Sequence, residues 1–197
     1  MQWNNHFRLR DQHSFLSPSS HQWLRYDQEK LTKIFLNKKL AAIGTERHAF
    51  AAKAIELGIK LYQDPKAPDT LSMYVNDCID EKMESEVILC YNEFAFGTAD
   101  AIYFDETRGK LKIFDLKTGS MPVVKTDDQG LYILEQCEIY AALFCLEYRV
   151  DPATLDMDLR IYQNNEMFQE IPQVDRIYEI MNLIIRDCDI LRTLKGV

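Results

Sequence analysis

The stretch Asp100-Ala101-Ile102-Tyr103-Phe104-Asp105, then Glu106-Thr107-Arg108-Gly109, then Lys110-Leu111-Lys112-Ile113-Phe114-Asp115-Leu116-Lys117 decides how this chain is read. β-Branched and aromatic residues on either side of a polar, glycine-ended tetrapeptide predict two strands joined as a hairpin. Side chains alternate along a strand, so Asp100, Ile102 and Phe104 share a face, as do Leu111, Ile113, Asp115 and Lys117. With residues 106 to 109 as the loop, Phe104 lies opposite Leu111, Ile102 opposite Ile113 and Asp100 opposite Asp115. A one-residue slip would turn one apolar row away from the other, which favours this register. Two carboxylates then stand side by side at one end of an apolar face, with Cβ atoms within about 4.5–5.5 Å.

Like charges so placed repel, and a fold tolerates them when one takes a proton or a cation sits between them. Lys117 offers one positive charge against two negative ones. A divalent metal with oxygen ligands completes the balance, and Mg²⁺ keeps several waters, leaving positions for a phosphate oxygen and a nucleophilic water. Lys117 would then hold a phosphate or that water and stabilise charge on the phosphorus oxygens. Taken alone, Asp115-Leu116-Lys117 is equally what a surface strand carries, with Asp100 a strand-end residue.

Working outward, Val87 to Phe96 and Thr98 to Phe104 read as the strands before Lys110 to Leu116, and Leu71 to Met83 reads as a helix. Further upstream, Thr45 after Gly44 is an N-cap with Glu46 in the first turn of a helix through Ala52, Ile55 and Ile59, ending before Asp64-Pro65. Leu16-Ser17-Pro18-Ser19-Ser20 starts a first helix, whose apolar residues Trp23, Leu24, Tyr26, Leu31, Ile34 and Phe35 recur to Asn37. Downstream come a long helix from Gln129 to Tyr148, short strands Asp156 to Tyr162 and Met167 to Ile171 around Asn164-Asn165, and a last helix from Val174 to Leu194. The expectation is one α/β domain over 1–197: a helical extension at 1–43, a core at 44–172 and a C-terminal helix at 173–197.

Of the 197 residues, 47% are apolar, with only 7 Gly and 6 Pro, which is the composition of a folded protein with a substantial interior. No apolar run is long enough for a membrane span and Met1 to Arg10 has no apolar signal core, so a soluble, cytoplasmic protein is expected. The five cysteines form no CxxC pair and no zinc-finger spacing, so they read as buried free thiols. A net charge of −8 is awkward for a phosphate-binding protein, yet residues 1–60 hold ten Lys or Arg against five Asp or Glu. That local excess is either a basic face or ordinary solvated helix charge.

Gly97-Thr98-Ala99-Asp100, Phe114-Asp115-Leu116-Lys117-Thr118-Gly119 and Gln136-Cys137-Glu138-Ile139-Tyr140 resemble, in order, the motifs of the RecB-like and phage-exonuclease branch of PD-(D/E)xK nucleases. Gly44-Thr45-Glu46-Arg47-His48 resembles that branch's upstream histidine motif, and Leu16 to Leu24 its entry helix. The resemblance implies a restriction-endonuclease-like core: a small central mixed β-sheet flanked by helices that supply His48 on one side and Gln136 and Tyr140 on the other. It also implies a DNA exonuclease of recombination or repair that uses Mg²⁺ or Mn²⁺. Asp100 and Asp115 would bind the metal, the Leu116 carbonyl would add a ligand, and Lys117 would be the catalytic lysine. His48 would be a ligand or phosphate contact, Glu93 would support the metal, and Gln136 and Tyr140 would orient a nucleotide or the Asp–Lys pair.

The family's iron–sulfur cluster is not expected, because no Cys precedes residue 78 and only Cys188 follows the Gln136–Tyr140 helix. GxxxxGK[ST] is absent too, so a helicase or recombination protein would be a separate partner, and a homo-oligomer is an option the residues leave open. The competing expectations are a catalytically silent nuclease-fold protein that binds a partner and, more weakly, a metal-dependent hydrolase of another phosphoester.

Overall fold

The computed structural model describes residues 1–10, 12, 14–37, 46–118, 124–126 and 132–195. Helices α1 (Gln28–Asn37), α2 (Glu46–Glu56) and α3 (Thr70–Asp80) precede strands β1 (Glu84–Asn92), β2 (Ala95–Asp105) and β3 (Lys110–Leu116). A short ladder of β4 (Lys125–Thr126) and β5 (Tyr132–Ile133) leads into α4 (Glu135–Tyr148), followed by β6 (Asp156–Gln163), β7 (Glu166–Glu170) and α5 (Val174–Lys195). The long strands form one mixed sheet, ordered β1-β2-β3-β6-β7 and antiparallel except for the β3–β6 pair. A parallel pair requires a crossover connection, and α4 lies within it.

The β2–β3 register is the one its apolar rows dictate: Phe104 pairs with Leu111 and Ile102 with Ile113, around a 106–109 loop closed by Gly109 at φ +62°. Alternation then sorts each strand between two cores. Ile102, Leu111, Ile113, Leu159 and Ile161 join α4 and α5 in the larger one. Ala101, Phe114, Leu116 and Tyr162, out of phase by one residue, pack with Ala51, Ile55, Tyr74 and Val75 of α2 and α3. Strand β3 is buried on both faces from Leu111 to Leu116, as a central strand must be.

The segment expected as an N-terminal extension contributes Leu16, Trp23 and Leu31 to the larger core, and α5 contributes Ile177, Ile180, Ile184, Cys188 and Leu191. Gly97 explains how closely that segment lies: a Cβ there would stand 2.7 Å from Pro18 Cδ and 3.2 Å from Tyr140 Cε1. All five cysteines are free, four of them buried. Among the described residues no helix is long and apolar enough to cross a membrane.

Element boundaries differ from the sequence reading in at least four places, one being α2, which stops at Glu56 short of Ile59 because the chain turns at Gly58 and Ile59 N–H folds back onto the Ala54 carbonyl at 2.9 Å. The run from Val87 to Phe96 is two strands, because Asn92 Oδ1 accepts from the N–H groups of Phe94 (2.9 Å) and Ala95 (3.2 Å) and turns the chain at Glu93-Phe94. The first helix is a 3₁₀ segment, Pro18–Arg25, and then α1, since Tyr26 is extended and Asp27 Oδ1 caps a new helix at Lys30 N–H (2.8 Å). Helix α4 starts at Glu135, because Tyr132 and Ile133 pair with Thr126 and Lys125 instead. Gly44, Thr45, Gly119, Gln129 and the side chains of Ile34 and Phe35 lie outside the described residues.

Candidate active site

The β2–β3 pairing ends at Ala101 opposite Phe114, so Asp100 and Asp115 come next, at the same end of the sheet. There the backbone itself supports the first acid: Asp100 Oδ2 accepts from the Leu116 N–H at 2.9 Å. Lys117 N–H donates to the Tyr162 carbonyl at 2.8 Å, which fixes the residue just past the strand. Its ammonium lies 2.7 Å from Asp115 Oδ2 and donates to Gln136 Oε1 at 2.5 Å, while Gln136 Nε2 donates to Asp115 Oδ1 at 2.7 Å. Acid, base and amide thus close a triangle in which Asp115 is 1% exposed.

Gln136 and Tyr140 stand one turn apart on α4. Tyr140 does not bond the acids; its hydroxyl donates to the Thr98 carbonyl, two residues before Asp100, and holds β2 against the helix. From the opposite flank, His48 in the first turn of α2 brings Nδ1 to 3.3 Å from Asp100 Oδ2. The structure therefore gathers His48, Asp100, Asp115, Leu116, Lys117 and Gln136, with Tyr140 behind them.

It does not gather Glu93. That residue sits in the β1–β2 turn, beyond Ala95, which is five positions before Asp100 and so about 16 Å from it along the strand. The residue between the pairs Ser85–Ala101 and Val87–Ala99, across from Asp100, is Glu86, whose backbone takes a φ of +55° while the register on either side continues unshifted.

Burial pushes the Asp115 carboxyl up, to about 6; Lys117 opposes the rise and Asp100 adds to it. The hydrogen bond to Asp100 outweighs burial at His48 and raises its imidazole above the ordinary value. Burial works against the Lys117 charge, but Asp115 and Asp100 prevail and raise its pKa, so the ammonium is kept at neutral pH. Asp115 Oδ2 is buried against the Lys117 ammonium at 2.7 Å, so a metal ion bound there would share this oxygen with that charge. Among the described residues no three His, Cys, Asp or Glu side chains already form a metal cage. A hard divalent ion here would rest on the two aspartates and complete its shell largely with water.

Sequence reasoning did not single out the cationic rim. Glu135, next to Gln136, receives Arg25, Lys125 at 3.0 Å and His21 at 3.4 Å. Burial alone would raise its pKa, yet Lys125, Arg25 and His21 outweigh that and lower it. Arg47 lines a cleft of about 220 Å³ together with Leu116, Lys117, Thr118 and Asn164. The sole sequence signal was the excess of basic residues in 1–60, which is where His21, Arg25 and Arg47 reside. No known protein family model matches the chain, and no curated protein matches it in sequence.

Proposed function

We propose that this chain is a metal-dependent DNA nuclease of the RecB-like, phage-exonuclease branch of the PD-(D/E)xK class, with a restriction-endonuclease-like fold. The observation that carries the reading is the hydrogen-bonded convergence of Asp115, Lys117 and Gln136 beside Asp100 and His48, at one end of a mixed sheet between α2 and α4. A surface strand bearing Asp-x-Lys does not bury its aspartate or enclose its lysine in this way.

Asp100 and Asp115 would hold Mg²⁺ or Mn²⁺, with the Leu116 carbonyl and His48 as further donors. When bound, such an ion supplies a Lewis acid for a phosphate oxygen and a water of lowered pKa. Lys117, kept charged by the two acids, stabilises negative charge as it builds on the phosphorus oxygens. Gln136 fixes Asp115 and Lys117 relative to each other, and Tyr140 positions β2. Arg25 and Lys125, which together outnumber the single Glu135 they meet, and Arg47 offer phosphates a locally positive approach in a chain of net charge −8, while burial lowers the His21 pKa and leaves that ring a neutral neighbour. An exonuclease of recombination or repair, working with a separate motor protein, is the form we favour.

One observation favours a second reading. Lys117 lies 2.7 Å from Asp115 and balances it without a metal, as it could in a nuclease-fold protein that binds a partner and does no chemistry. Cleavage of end-labelled linear and closed circular DNA, single- and double-stranded, with Mg²⁺, Mn²⁺ or EDTA, separates the two. Metal-dependent loss of linear DNA alone, absent in Lys117→Ala, supports the exonuclease; cutting of circles makes it an endonuclease. No cleavage by the wild type under any condition favours the binding protein, and undiminished cleavage by Lys117→Ala removes the site assignment.

A further inference from the structure

A groove of about 590 Å³ opens beside the candidate site, lined among others by Lys125, Thr126, Tyr132, Asn164 and Phe168. It adjoins the cleft that holds Leu116, Lys117 and Arg47, since Asn164 lines both. The sheet register gives its distance from the chemistry. Asp115 pairs with Ile161, and Ile161 pairs with Phe168, so the three stand in one row across β3, β6 and β7. Paired residues share a face, and two strand spacings amount to about 10 Å.

At the end of that row Phe168 meets Tyr132, with ring centroids 5.2 Å apart and planes at 80°. In a perpendicular pair the two rings do not cover each other face to face, so Tyr132 keeps at least one face that Phe168 does not cover. Tyr132 is also 42% exposed, although a tyrosine ring in a sheet is normally a burial asset. Lys125, whose neighbour Thr126 pairs with Tyr132, reaches the same groove while its ammonium also meets Glu135 at 3.0 Å, and Glu166 lines the groove as well, so the stacking ring rather than net charge distinguishes it. An open aromatic face and a lysine in a groove that adjoins the cleft of Lys117 are the parts of a single-strand nucleic-acid track.

We propose that Tyr132 is the stacking platform for an unpaired base of the DNA strand whose phosphate lies at Asp115 and Lys117, an inference that rests on the nuclease reading above. Phe168 stands about 10 Å from Asp115 across the sheet, and the Tyr132 ring lies 5.2 Å from the Phe168 ring, so the platform is on the order of 10–15 Å from Asp115, the length of roughly three to four stacked nucleotides at ~3.4 Å each. A base held in a duplex shows the groove only its edges, so this contact requires the strand to be single on that side of the scissile phosphate. The site thus takes single-stranded DNA, or a duplex end frayed by a few nucleotides.

The test is titration of single-stranded oligodeoxynucleotides carrying 2-aminopurine at each of several successive positions from one end and then the other, in Ca²⁺ without Mg²⁺, with the full chain. Wild type and Tyr132→Phe should quench the probe strongly at one position, and Tyr132→Ala should not. Tyr132→Ala should bind the single strand roughly tenfold or more weakly, the usual effect of removing one base-stacking ring, and raise KM far more than it lowers kcat in Mg²⁺. Affinity for a blunt duplex of the same sequence should change little. If Tyr132→Ala matches wild type on single strands while wild type cuts DNA and Lys117→Ala does not, the platform is refuted and the nuclease reading stands. Equal weakening on duplex and single strand also overturns it. A wild-type protein that neither binds nor cuts DNA overturns both.

Discussion

Replacing Gly97 by Ala tests how the site is supported without touching any group that does chemistry. The added methyl would meet Pro18 Cδ at 2.7 Å, Pro18 Cγ at 3.0 Å and Tyr140 Cε1 at 3.2 Å. Neither neighbour yields easily: the proline ring is rigid and buried in the 3₁₀ segment, and Tyr140 is 3% exposed and tied to the Thr98 carbonyl. Overpacking of this kind costs about 1–3 kcal/mol, and the reduced freedom of the unfolded chain returns about 0.4–1 kcal/mol. The expected net loss is about 1–2 kcal/mol, or roughly 2–8 °C in Tm for a chain of this length. Urea and thermal unfolding of wild type, Gly97→Ala, Pro18→Ala and the double variant measure it. Because Pro18→Ala removes the two closest atoms, the double variant should be more stable than the sum of the single losses by about 1 kcal/mol. A Gly97→Ala protein as stable as wild type, or strict additivity with Pro18→Ala, would refute the argument.

Gln136→Leu leaves Asp115 Oδ1 and the Lys117 ammonium each short of a partner in a buried setting, and should lower stability in urea by about 1–3 kcal/mol as well as slowing cleavage. Mg²⁺ or Mn²⁺ at about 100 times its Kd should stabilise the wild type by ~2.7 kcal/mol, seen as a rise in Tm that Asp115→Asn loses. Glu170 offers a pH test away from the site. Its carboxylate accepts from the Leu134 N–H at 2.6 Å, and burial together with Glu138 pushes its pKa up to about 8. A carboxyl raised in the fold favours the native state fully below its ordinary pKa, and that contribution is lost as pH rises through about 8. Glu170→Gln, which keeps an acceptor for Leu134, should therefore raise Tm relative to wild type at pH 9 and change it little at pH 4.

The alternation of Ile102 and Phe104 against Leu111 and Ile113 determined, by itself, which carboxylates become neighbours, because a slip would have exposed one apolar row. Local chemistry likewise made the Asn164-Asn165 turn and the last helix legible, both residues of that turn having positive φ. The Asn92 turn carried the same kind of signal inside an apolar run, where a side-chain oxygen took over two backbone donors; with the run read as one strand, the resemblance assigned Glu93 to the acids. Periodicity and turn chemistry left the meetings of distant elements open; only the family resemblance brought His48, Gln136 and Tyr140 to the acids, and nothing in the sequence brought the rest. The parallel pairing of β3 with β6 sets Phe168 in line with Asp115, α2 delivers His48 to Asp100, and the 3₁₀ segment carries Arg25 and His21 to Glu135. Periodicity encodes the faces and turns of a segment, since these depend on neighbours a few residues away. Which faces come together depends on how the whole chain fills its two cores, and that is decided only in the folded state.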